Sequence, residues 1–350
     1  MPLPKNQYVS EAWKDGIFDG KVVFCTGGAG TICSAQVRAL VHLGANACIV
    51  GRNVEKTERV AQDIATARPG ATVLGFGEVD VRKVESLQEA VEKCVKQLGA
   101  IDFLIAGAAG NFLAPITQLS PNAFKAVMDI DVLGSYNTVK AALPHLCESA
   151  AKHKTDGKTS NPPTRKNTHG SDHRTAPANG TGGRIIFVSA TQHYRGVPLQ
   201  MHVSAAKAAI DALSNSLAIE MGPRGVTSNV IAPGAVADTE GMERLARKED
   251  IDEMKRSSPA GRWATVKEVA DATVYLFGDT GNIINGTSIV GEWLLGGLGR
   301  SWLQRLTTLQ VDGGSWRTAG SNGGMGFKYP DFLLSDETVS GVQGGKKAKL

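Results

Sequence analysis

The sequence lacks the features that mark secreted, membrane-spanning and zinc-binding proteins. Its five cysteines are odd in number and form no C-x-x-C pair, which argues against a disulfide framework and against a metal site. No run of about 18 apolar residues could span a bilayer. The first residues, MPLPKNQYVSEAWKDG, have no apolar centre of the kind that a secretory signal needs. We therefore expect reduced thiols, no metal and no membrane span.

The excess positive charge is confined to one segment. Residues 151–183 contain six Lys or Arg and two Asp, a surplus of four that equals the formal net charge of +4. The remaining chain is formally neutral, so we expect no basic face that binds nucleic acid. The same segment is almost free of apolar residues and cannot offset its ordering entropy by burial, which predicts a disordered surface insertion.

Apolar runs alternate with amphipathic stretches from Lys21 onward, which is typical of strands alternating with helices. This order predicts an α/β fold, a Rossmann-like doubly wound parallel sheet in a single domain with two insertions. The predicted strands are 22–24, 47–50, 72–79, 101–106, 184–189 and 228–232, and the predicted helices are 32–43, 54–67, 84–98, 122–146 and 204–221.

The predicted domain covers residues 21–316, between an N-terminal extension (1–20) and a C-terminal tail (317–350). A second interruption, at residues 291–310, separates Ser288-Ile289-Val290 from Val311-Asp312-Gly313-Gly314. Without it, these two pieces would form one continuous strand and turn. Residues 291–310 are either an atypical insertion or an untrimmed intron in the gene model, which sequencing of the transcript decides.

A glycine-rich turn lies between the first predicted strand and the first predicted helix. Glycines let the backbone approach a dinucleotide pyrophosphate, and the N–H groups at a helix N-terminus favour that anion. The required order of strand, turn and helix favours this interpretation over a plain tight turn. The candidate cofactor residues in the turn are Gly27, Gly28, Gly30, Thr31 and Ile32.

Two residues at later strand ends are further cofactor candidates. Arg52 closes the second predicted strand, where an acidic residue would bind the ribose of NAD and an arginine the 2′-phosphate of NADP. Val50-Gly51-Arg52-Asn53 offers no carboxylate, which favours NADP over a merely solvated loop arginine. Asp80 is placed to accept a hydrogen bond from the adenine amino group, although an aspartate after a strand often only forms a turn.

These motifs, in order and spacing, resemble the short-chain dehydrogenase/reductase family from about Lys21 to Trp316. The motifs that carry the resemblance are the glycine turn, Asp80-Val81, Ala109-Gly110, Asp131-Val132-Leu133-Gly134, Ala205-Ala206-Lys207 and Ala232-Pro233-Gly234. By this resemblance Lys207 holds the nicotinamide ribose, and Pro233, Gly234 and Thr239 contact the nicotinamide half of the cofactor.

The chain departs from that family where a ketone reductase needs a proton donor. The family places a tyrosine four residues before its lysine, and Val203 stands there. Ala190 replaces the family's serine, and Asp131 replaces its helix asparagine. Because valine cannot protonate an alkoxide, ordinary carbonyl reduction is disfavoured.

This set of changes resembles the peroxisomal 2,4-dienoyl-CoA reductases of the same family. The stretches that carry this second resemblance are 108–112, 120–125, 128–131, 202–212, 233–234 and 239–241. The resemblance implies reduction of a dienoyl-CoA by NADPH, with Asp131 and Lys207 as catalytic residues; the alternative for this pair is a structural ion pair. It also implies a homo-oligomer. The implied acyl-CoA contacts are Arg82, Phe112, Ser120, Asn122 and Arg244.

The last three residues, Ala348-Lys349-Leu350, resemble the Ser-Lys-Leu address that a peroxisomal import receptor recognises. Together with the acyl-CoA chemistry they predict a peroxisomal location. Two rival functions remain open from the sequence. One is a 3-ketoacyl or other carbonyl reductase, and the other is an inactive nucleotide-binding scaffold. The scaffold alternative is based on Thr31 and Cys33, which stand where glycines are usual and would weaken dinucleotide binding.

Overall fold

The computed structural model describes residues 4–153, 182–245, 251–257 and 260–291. Within these ranges seven strands form one parallel sheet in the order β3-β2-β1-β4-β5-β6-β7. The predicted doubly wound α/β fold is confirmed. The strands are β1 Val22–Thr26, β2 Asn46–Val50, β3 Val73–Phe76, β4 Phe103–Ala106, β5 Arg184–Val188, β6 Thr227–Pro233 and β7 Ser288–Gly291.

Helices cover both faces of this sheet, which is why strands such as β1 and β4 are buried at every position and read as continuous apolar runs. The helices are α1 Thr31–His42, α2 Val54–Ala65, α3 Val84–Leu98, α4 Pro121–Met128, α5 Gly134–Lys152, α6 Gln192–Arg195, α7 Met201–Met221, α8 Glu240–Leu245, α9 Ile251–Ser257 and α10 Val266–Phe277. Among the described residues, no helix is both long enough and apolar enough to cross a bilayer.

Two hydrophobic layers hold the sheet between its helices. Helices α1, α2 and α10 pack on one face, with Leu40, Ile64 and Val274 fully buried. Helices α3, α5 and α7 supply the layer on the other face. The described part of the predicted N-terminal extension packs into the first layer, where Val9 and Phe18 are completely buried.

Three predicted element bounds differ from the structure. The predicted helix 122–146 is α4 and α5 joined by a π-helical turn at Asp129–Leu133, a one-residue widening that apolar periodicity does not reveal. Strand β3 ends at Phe76, so Asp80 lies in the following loop. Helix α7 begins at Met201 instead of residue 204, which places position 203 inside it.

Both predicted insertions fall largely outside the described residues. Only the ends of the first, 151–153 and 182–183, and only Gly291 of the second are described. The predicted tail at 317–350 also lies outside them. From the carboxyl ends of the neighbouring strands β1 and β4, the chain turns toward opposite faces of the sheet. This creates the crevice in which open α/β sheets bind ligands. The candidate site residues lie at this edge.

Candidate active site

The turn between β1 and α1 is shaped for a close approach of a ligand to the backbone. Gly27 has a φ of +68°, and a Cβ there would lie 2.8 Å from the carbonyl oxygen of Gly107. A Cβ on Gly28 would lie 2.5 Å from the Cβ of Ile49. Gly30 is the N-cap of α1 and gives the helix no side-chain cap. The first N–H groups of α1 are therefore available to an anion, as a dinucleotide pyrophosphate requires.

Thr31 and Cys33, which stand where glycines are usual, are accommodated by their neighbours. Cys33 is 4% exposed, and a Cβ added to Gly107 would come within 2.3 Å of its sulfur. Because Gly107 has no side chain, the Cys33 side chain fits at a position where a glycine is usual. The hydroxyl of Thr31 accepts the N–H of Glu240, the first residue of α8, at 3.4 Å. These substitutions fit the turn without closing it to an anion.

The strand-end residues Arg52, Asp80 and Arg82 lie along one side of the crevice. Arg52 follows β2 and is exposed. Arg82 donates from Nε to both carboxylate oxygens of Asp80, at 2.9 and 3.0 Å. These hydrogen bonds lower the pKa of Asp80 to about 2. Asp80 and Arg82, predicted to contact different ligands, are thus one ion pair in this structure.

Asp131 and Lys207 meet in the interior, as the sequence predicts. Asp131 is fully buried in the π-helical turn, and its Oδ1 accepts the N–H of Gly110 at 2.7 Å. Lys207 Nζ lies 3.1 Å from Asp131 Oδ2, and it donates to the carbonyl of Val188 at 3.1 Å. The ammonium approaches Oδ2 outside hydrogen-bonding geometry, so this oxygen keeps a free acceptor direction. A polar molecule that lies beside the pair could therefore contact both the carboxylate and the ammonium.

His202 and Phe112 form the wall beside this pair. The ring of fully buried His202 stacks on the ring of Phe112 with centroids 4.2 Å apart. His202 Nε2 donates to the carbonyl of Phe112 at 3.0 Å, which fixes the proton on that nitrogen. The loop after β4 is thus held at two points, Gly110 and Phe112. This anchoring positions the backbone donor to Asp131.

The other predicted substrate contacts lie at the rim of the crevice. Ser120 is the N-cap of α4 and accepts the N–H of Ala123 at 3.2 Å, which engages its hydroxyl locally. Asn122 is exposed in the first turn of the same helix. Arg244 is exposed on α8, and its Nε donates to the carbonyl of Glu240 at 3.2 Å. These three side chains are not brought together with Asp131 and Lys207.

The predicted nicotinamide contacts follow β6. Pro233 ends that strand, and Gly234 continues the chain toward α8. The hydroxyl of buried Thr239 donates to the carbonyl of Val236 at 2.9 Å and accepts the N–H of Met242 at 3.3 Å. These two hydrogen bonds fix the start of α8 near the crevice. In the described ranges no group of three or more His, Cys, Asp or Glu side chains could hold a metal ion.

Comparison with known proteins gives a consistent family. Residues 21–154 match the family described as short chain dehydrogenase, and residues 171–292 match the one described as Enoyl-(Acyl carrier protein) reductase. A peroxisomal 2,4-dienoyl-CoA reductase of Saccharomyces cerevisiae, (3E)-enoyl-CoA-producing, is 45% identical over 83% of this chain and 90% of its own length. The chain belongs to the short-chain dehydrogenase family.

Two further relatives agree with this membership. The Danio rerio protein named as a peroxisomal 2,4-dienoyl-CoA reductase, (3E)-enoyl-CoA-producing, is 34% identical over 83% of this chain and 86% of its own length. The crystal structure of a short chain dehydrogenase from Bacillus anthracis is 30% identical, with a TM-score of 0.65 over 79% of this chain and 96% of that one. Membership in this family implies a nicotinamide cofactor, and the glycine turn fits its pyrophosphate.

The position of the family's tyrosine is filled by an apolar side chain in this member. Val203 is 2% exposed and packs in a small cluster with Val127 and Ala206. Tyr194, the tyrosine closest to it in sequence, donates its hydroxyl to Asp211. The absence of a phenol at position 203, inferred from the sequence, is therefore built into the packing around Lys207.

The sequence does not reveal the backbone partners of the candidate pair Asp131 and Lys207. The N–H of Gly110 and the carbonyl of Val188 contact Asp131 and Lys207, yet every residue carries such groups and no sequence signal marks them. His202 stands five residues before Lys207, which is not the spacing of one helical turn, so the sequence does not mark it either. Its contact with Phe112 depends on the loop after β4, which a helix pattern cannot place.

Proposed function

We propose that this chain catalyses the NADPH-dependent reduction of 2,4-dienoyl-CoA to 3-enoyl-CoA in the peroxisomal β-oxidation of unsaturated fatty acids. The observation that carries the proposal is the buried Asp131–Lys207 pair beside an apolar residue at position 203. The names of the similar proteins support the same reaction. A carbonyl reductase would need an acid at position 203, and the packing there leaves none.

The cofactor assignment rests on the end of β2. Arg52 is exposed there, and the loop 51–53 carries no carboxylate that would bind the 2′-hydroxyl of NADH or repel a 2′-phosphate. The glycine turn would hold the pyrophosphate, and Lys207 the nicotinamide ribose. When bound, NADPH supplies a hydride to the δ-carbon of the dienoyl thioester.

The role of the chain is to stabilise the resulting charge and to supply a proton. Negative charge spreads through the conjugated system to the thioester oxygen, and no alkoxide forms on the substrate. The Lys207 ammonium offers positive charge in a site with little water, where electrostatic stabilisation is strong. A water molecule beside the pair, in contact with Asp131 Oδ2 and Lys207, would protonate the α-carbon, which leaves a double bond between the β- and γ-carbons.

The rim residues would bind the CoA portion of the substrate. Arg82 and Arg244 are exposed cations suited to CoA phosphates. Phe112, whose ring stacks on His202, is the proposed aromatic contact for the acyl chain. Ser120 and Asn122, at the start of α4, complete the proposed acyl-CoA contacts.

We also propose two partners beyond the substrate. The C-terminal Ala348-Lys349-Leu350 would be recognised by a peroxisomal import receptor, in accord with the peroxisomal relatives. The chain would also form a homo-oligomer. Leu133 and Tyr136 are 43% and 49% exposed at the start of α5, which is consistent with an apolar contact between copies.

One assay tests the proposed reaction against its rivals. Purified protein is mixed with NADPH and either a 2,4-dienoyl-CoA or a 3-ketoacyl-CoA, and the loss of NADPH absorbance is followed. We expect oxidation with the dienoyl ester alone. Oxidation with the ketoacyl ester would indicate a carbonyl reductase. If NADPH binds but is oxidised with neither ester, the protein is a scaffold.

A further inference from the structure

Two segments at the rim of the crevice expose large apolar side chains to solvent. The loop after β4 exposes Leu113 (44%) and Ile116 (63%), and the start of α7 exposes Leu199 (44%) and Met201 (53%). Among the described residues, four of the ten large apolar side chains that are exposed lie in these two short segments. Single exposed apolar residues are ordinary, but a cluster marks a surface that binds something apolar. We call these four side chains the apolar rim.

Hydrogen bonds join the two segments of the apolar rim. The N–H of Ala114 donates to the carbonyl of Leu199 at 3.0 Å. His202 Nε2 donates to the carbonyl of Phe112 at 3.0 Å, and the two rings stack. Because the loop after β4 and the start of α7 are bound to each other at two points, the apolar rim is one surface region formed by two distant parts of the chain.

The backbone of Leu199 has a conformation that leucine rarely adopts. Its φ is +65°, in the left-handed region, where glycine or asparagine is the usual residue. Gly196, three residues earlier, also has a positive φ, of +74°, so this loop does contain glycine where only the turn requires it. Backbone strain of this kind persists where the surrounding structure enforces it, and it clusters at ligand sites. A strained leucine with an exposed side chain therefore indicates a role in binding.

The apolar rim is continuous with the proposed reaction site. Phe112, next to Leu113 in the loop, packs against the small cluster that contains Val203. Val203 stands one helical turn before Lys207 in α7. An ester whose conjugated carbons react beside Lys207 has its saturated tail leading away from them, and the apolar rim is a surface on which that tail can leave water. Each methylene that leaves water raises the affinity about two- to fourfold.

We infer that the apolar rim binds the part of the acyl chain beyond the diene, and that Leu199 and Met201 thereby make the enzyme selective for long-chain dienoyl-CoA esters. This inference rests on the proposed reaction and names the substrate class within it. A six-carbon dienoyl ester ends just past the δ-carbon and does not reach the rim, whereas a sixteen-carbon ester extends about ten carbons further. The two esters present the same reacting carbons, so their difference in rate measures the contact with the rim.

Chain-length profiles test the inference. With saturating NADPH, kcat/KM is measured for 2,4-dienoyl-CoA esters of six, ten and sixteen carbons, below the concentrations at which they form micelles. The variants are Leu199→Asn, Met201→Gln and the double variant. Asparagine tolerates a left-handed backbone and glutamine favours a helix, so each variant should fold. Ile283→Gln is the control, because Ile283 is 53% exposed beside Asn282, which contacts Arg184 at the start of β5, the opposite edge of the sheet.

The wild type should use the sixteen-carbon ester about tenfold or more better than the six-carbon ester in kcat/KM. Leu199→Asn and Met201→Gln should each lower kcat/KM for the long ester about three- to tenfold, mainly by raising KM, and the double variant should lower it further. The six-carbon ester should change less than about twofold in each variant. Melting of Leu199→Asn should stay close to the wild type, because asparagine relieves the backbone strain. Ile283→Gln should keep the wild-type profile.

Three results would overturn the assignment. A double variant that keeps the wild-type ratio of long to short ester would show that the acyl chain does not contact the apolar rim. If that ratio is kept while the mass from light scattering falls, the rim is a contact between copies of the chain. An equal loss with all three esters would make Leu199 and Met201 supports of the reaction site and not determinants of chain length. If the wild type turns over none of the esters, the proposed reaction itself fails, and the inference fails with it.

Discussion

At the scale of single residues, the site depends on a buried charge pair with few hydrogen bonds. Asp131 has no exposed surface, and Lys207 is 6% exposed. A buried ion pair is costly to desolvate and is not a general means of stabilising a fold. We propose a chemical reason for its presence here, because carboxylate and ammonium together can bind and polarise a water molecule. The structural alternative predicts that the pair matters for stability alone.

Replacing Asp131 by Asn separates these two explanations. The amide oxygen can still accept the Gly110 N–H, but the carboxylate charge that holds the proton-donating water is lost. We expect turnover with a dienoyl-CoA to fall by about a hundredfold or more, with NADPH affinity nearly unchanged. Lys207→Ala should lower turnover similarly and should also weaken NADPH binding, because Lys207 is expected to hold the ribose.

Steady-state kinetics, NADPH titration and thermal melting of each folded variant check this prediction. Val203→Ala serves as the control, because valine has no chemical role. It should keep turnover within about threefold while costing roughly 1–3 kcal/mol of stability for the cavity it leaves. Near-normal turnover in folded Asp131→Asn would show that the pair is structural and not catalytic.

At the scale of elements, helix termini fix the side of the sheet that flanks the cofactor crevice. Helix α10 begins with a capping box, in which Thr265 accepts the Glu268 N–H at 3.3 Å and Glu268 accepts the Thr265 N–H at 2.8 Å. Its other end is bound by Arg184 of β5, which donates to the carbonyls of Leu276 and Gly278, both at 2.7 Å. The burial of this arginine lowers its pKa to about 10.

The cap of α10 gives a pH-dependent contribution to stability. Hydrogen bonds from Arg262 lower the pKa of Glu268 to about 2, from 4.5 in a free side chain. A depressed carboxyl pKa stabilises the fold above the unfolded value, and that stabilisation is lost as the pH falls toward the folded value. We expect the stability difference between wild type and Glu268→Gln to be constant above pH 4.5 and to shrink toward pH 2.

Urea unfolding across this pH range measures the difference. Glu268 is 44% exposed, so screening should keep the effect small and added salt should reduce it further. Thr265→Ala is the matched variant, and it should lose about 1 kcal/mol near neutral pH because it removes the cap. It also removes one hydrogen bond to the Glu268 carboxylate but keeps the contact with Arg262, so most of the pH dependence should remain. A wild type and Glu268→Gln that differ equally at pH 2 and pH 7 would contradict the assignment.

At the scale of the whole molecule, the sheet and the proximity of Asp131 to Lys207 could be predicted, whereas the contacts around that pair could not. The strands β1 to β6 follow from apolar runs, and Asp131 and Lys207 from their positions in family motifs. The π-helical turn that carries Asp131 is invisible to a periodicity argument, because one extra residue barely changes the pattern. The pairing of Asp80 with Arg82 depends on side-chain directions that only the folded chain sets.

The oligomer can be tested at the exposed start of α5. Light scattering after gel filtration should give a mass of two or four chains for the wild type. Tyr136→Glu should reduce that mass, because a charge in an apolar contact is costly to desolvate. Arg59→Glu, a charge reversal at an exposed position of α2 on the other face of the sheet, is the control. A monomeric wild type at micromolar concentration would exclude the proposed contact.

The import signal can be tested on the full chain in cells. A fluorescent protein fused to the N-terminus should colocalise with a peroxisomal marker. Deletion of Ala348-Lys349-Leu350 should leave the fusion diffuse, since the import receptor reads the free C-terminal tripeptide. Replacement of the tripeptide by Ser-Lys-Leu should restore import. Import that persists after the deletion would assign targeting to another segment.

The most direct test of the central claim is the position of the two new hydrogens in the product. A 2,4-dienoyl-CoA is reduced with deuterium-labelled NADPH in ordinary water, and with ordinary NADPH in heavy water, and each product is analysed by NMR. Hydride transfer to a conjugated chain, with protonation by water held at Asp131 and Lys207, predicts cofactor deuterium at the δ-carbon. It also predicts solvent deuterium at the α-carbon and a 3-enoyl product. Cofactor deuterium on any other carbon, or solvent deuterium at the γ-carbon with a 2-enoyl product, would contradict this account.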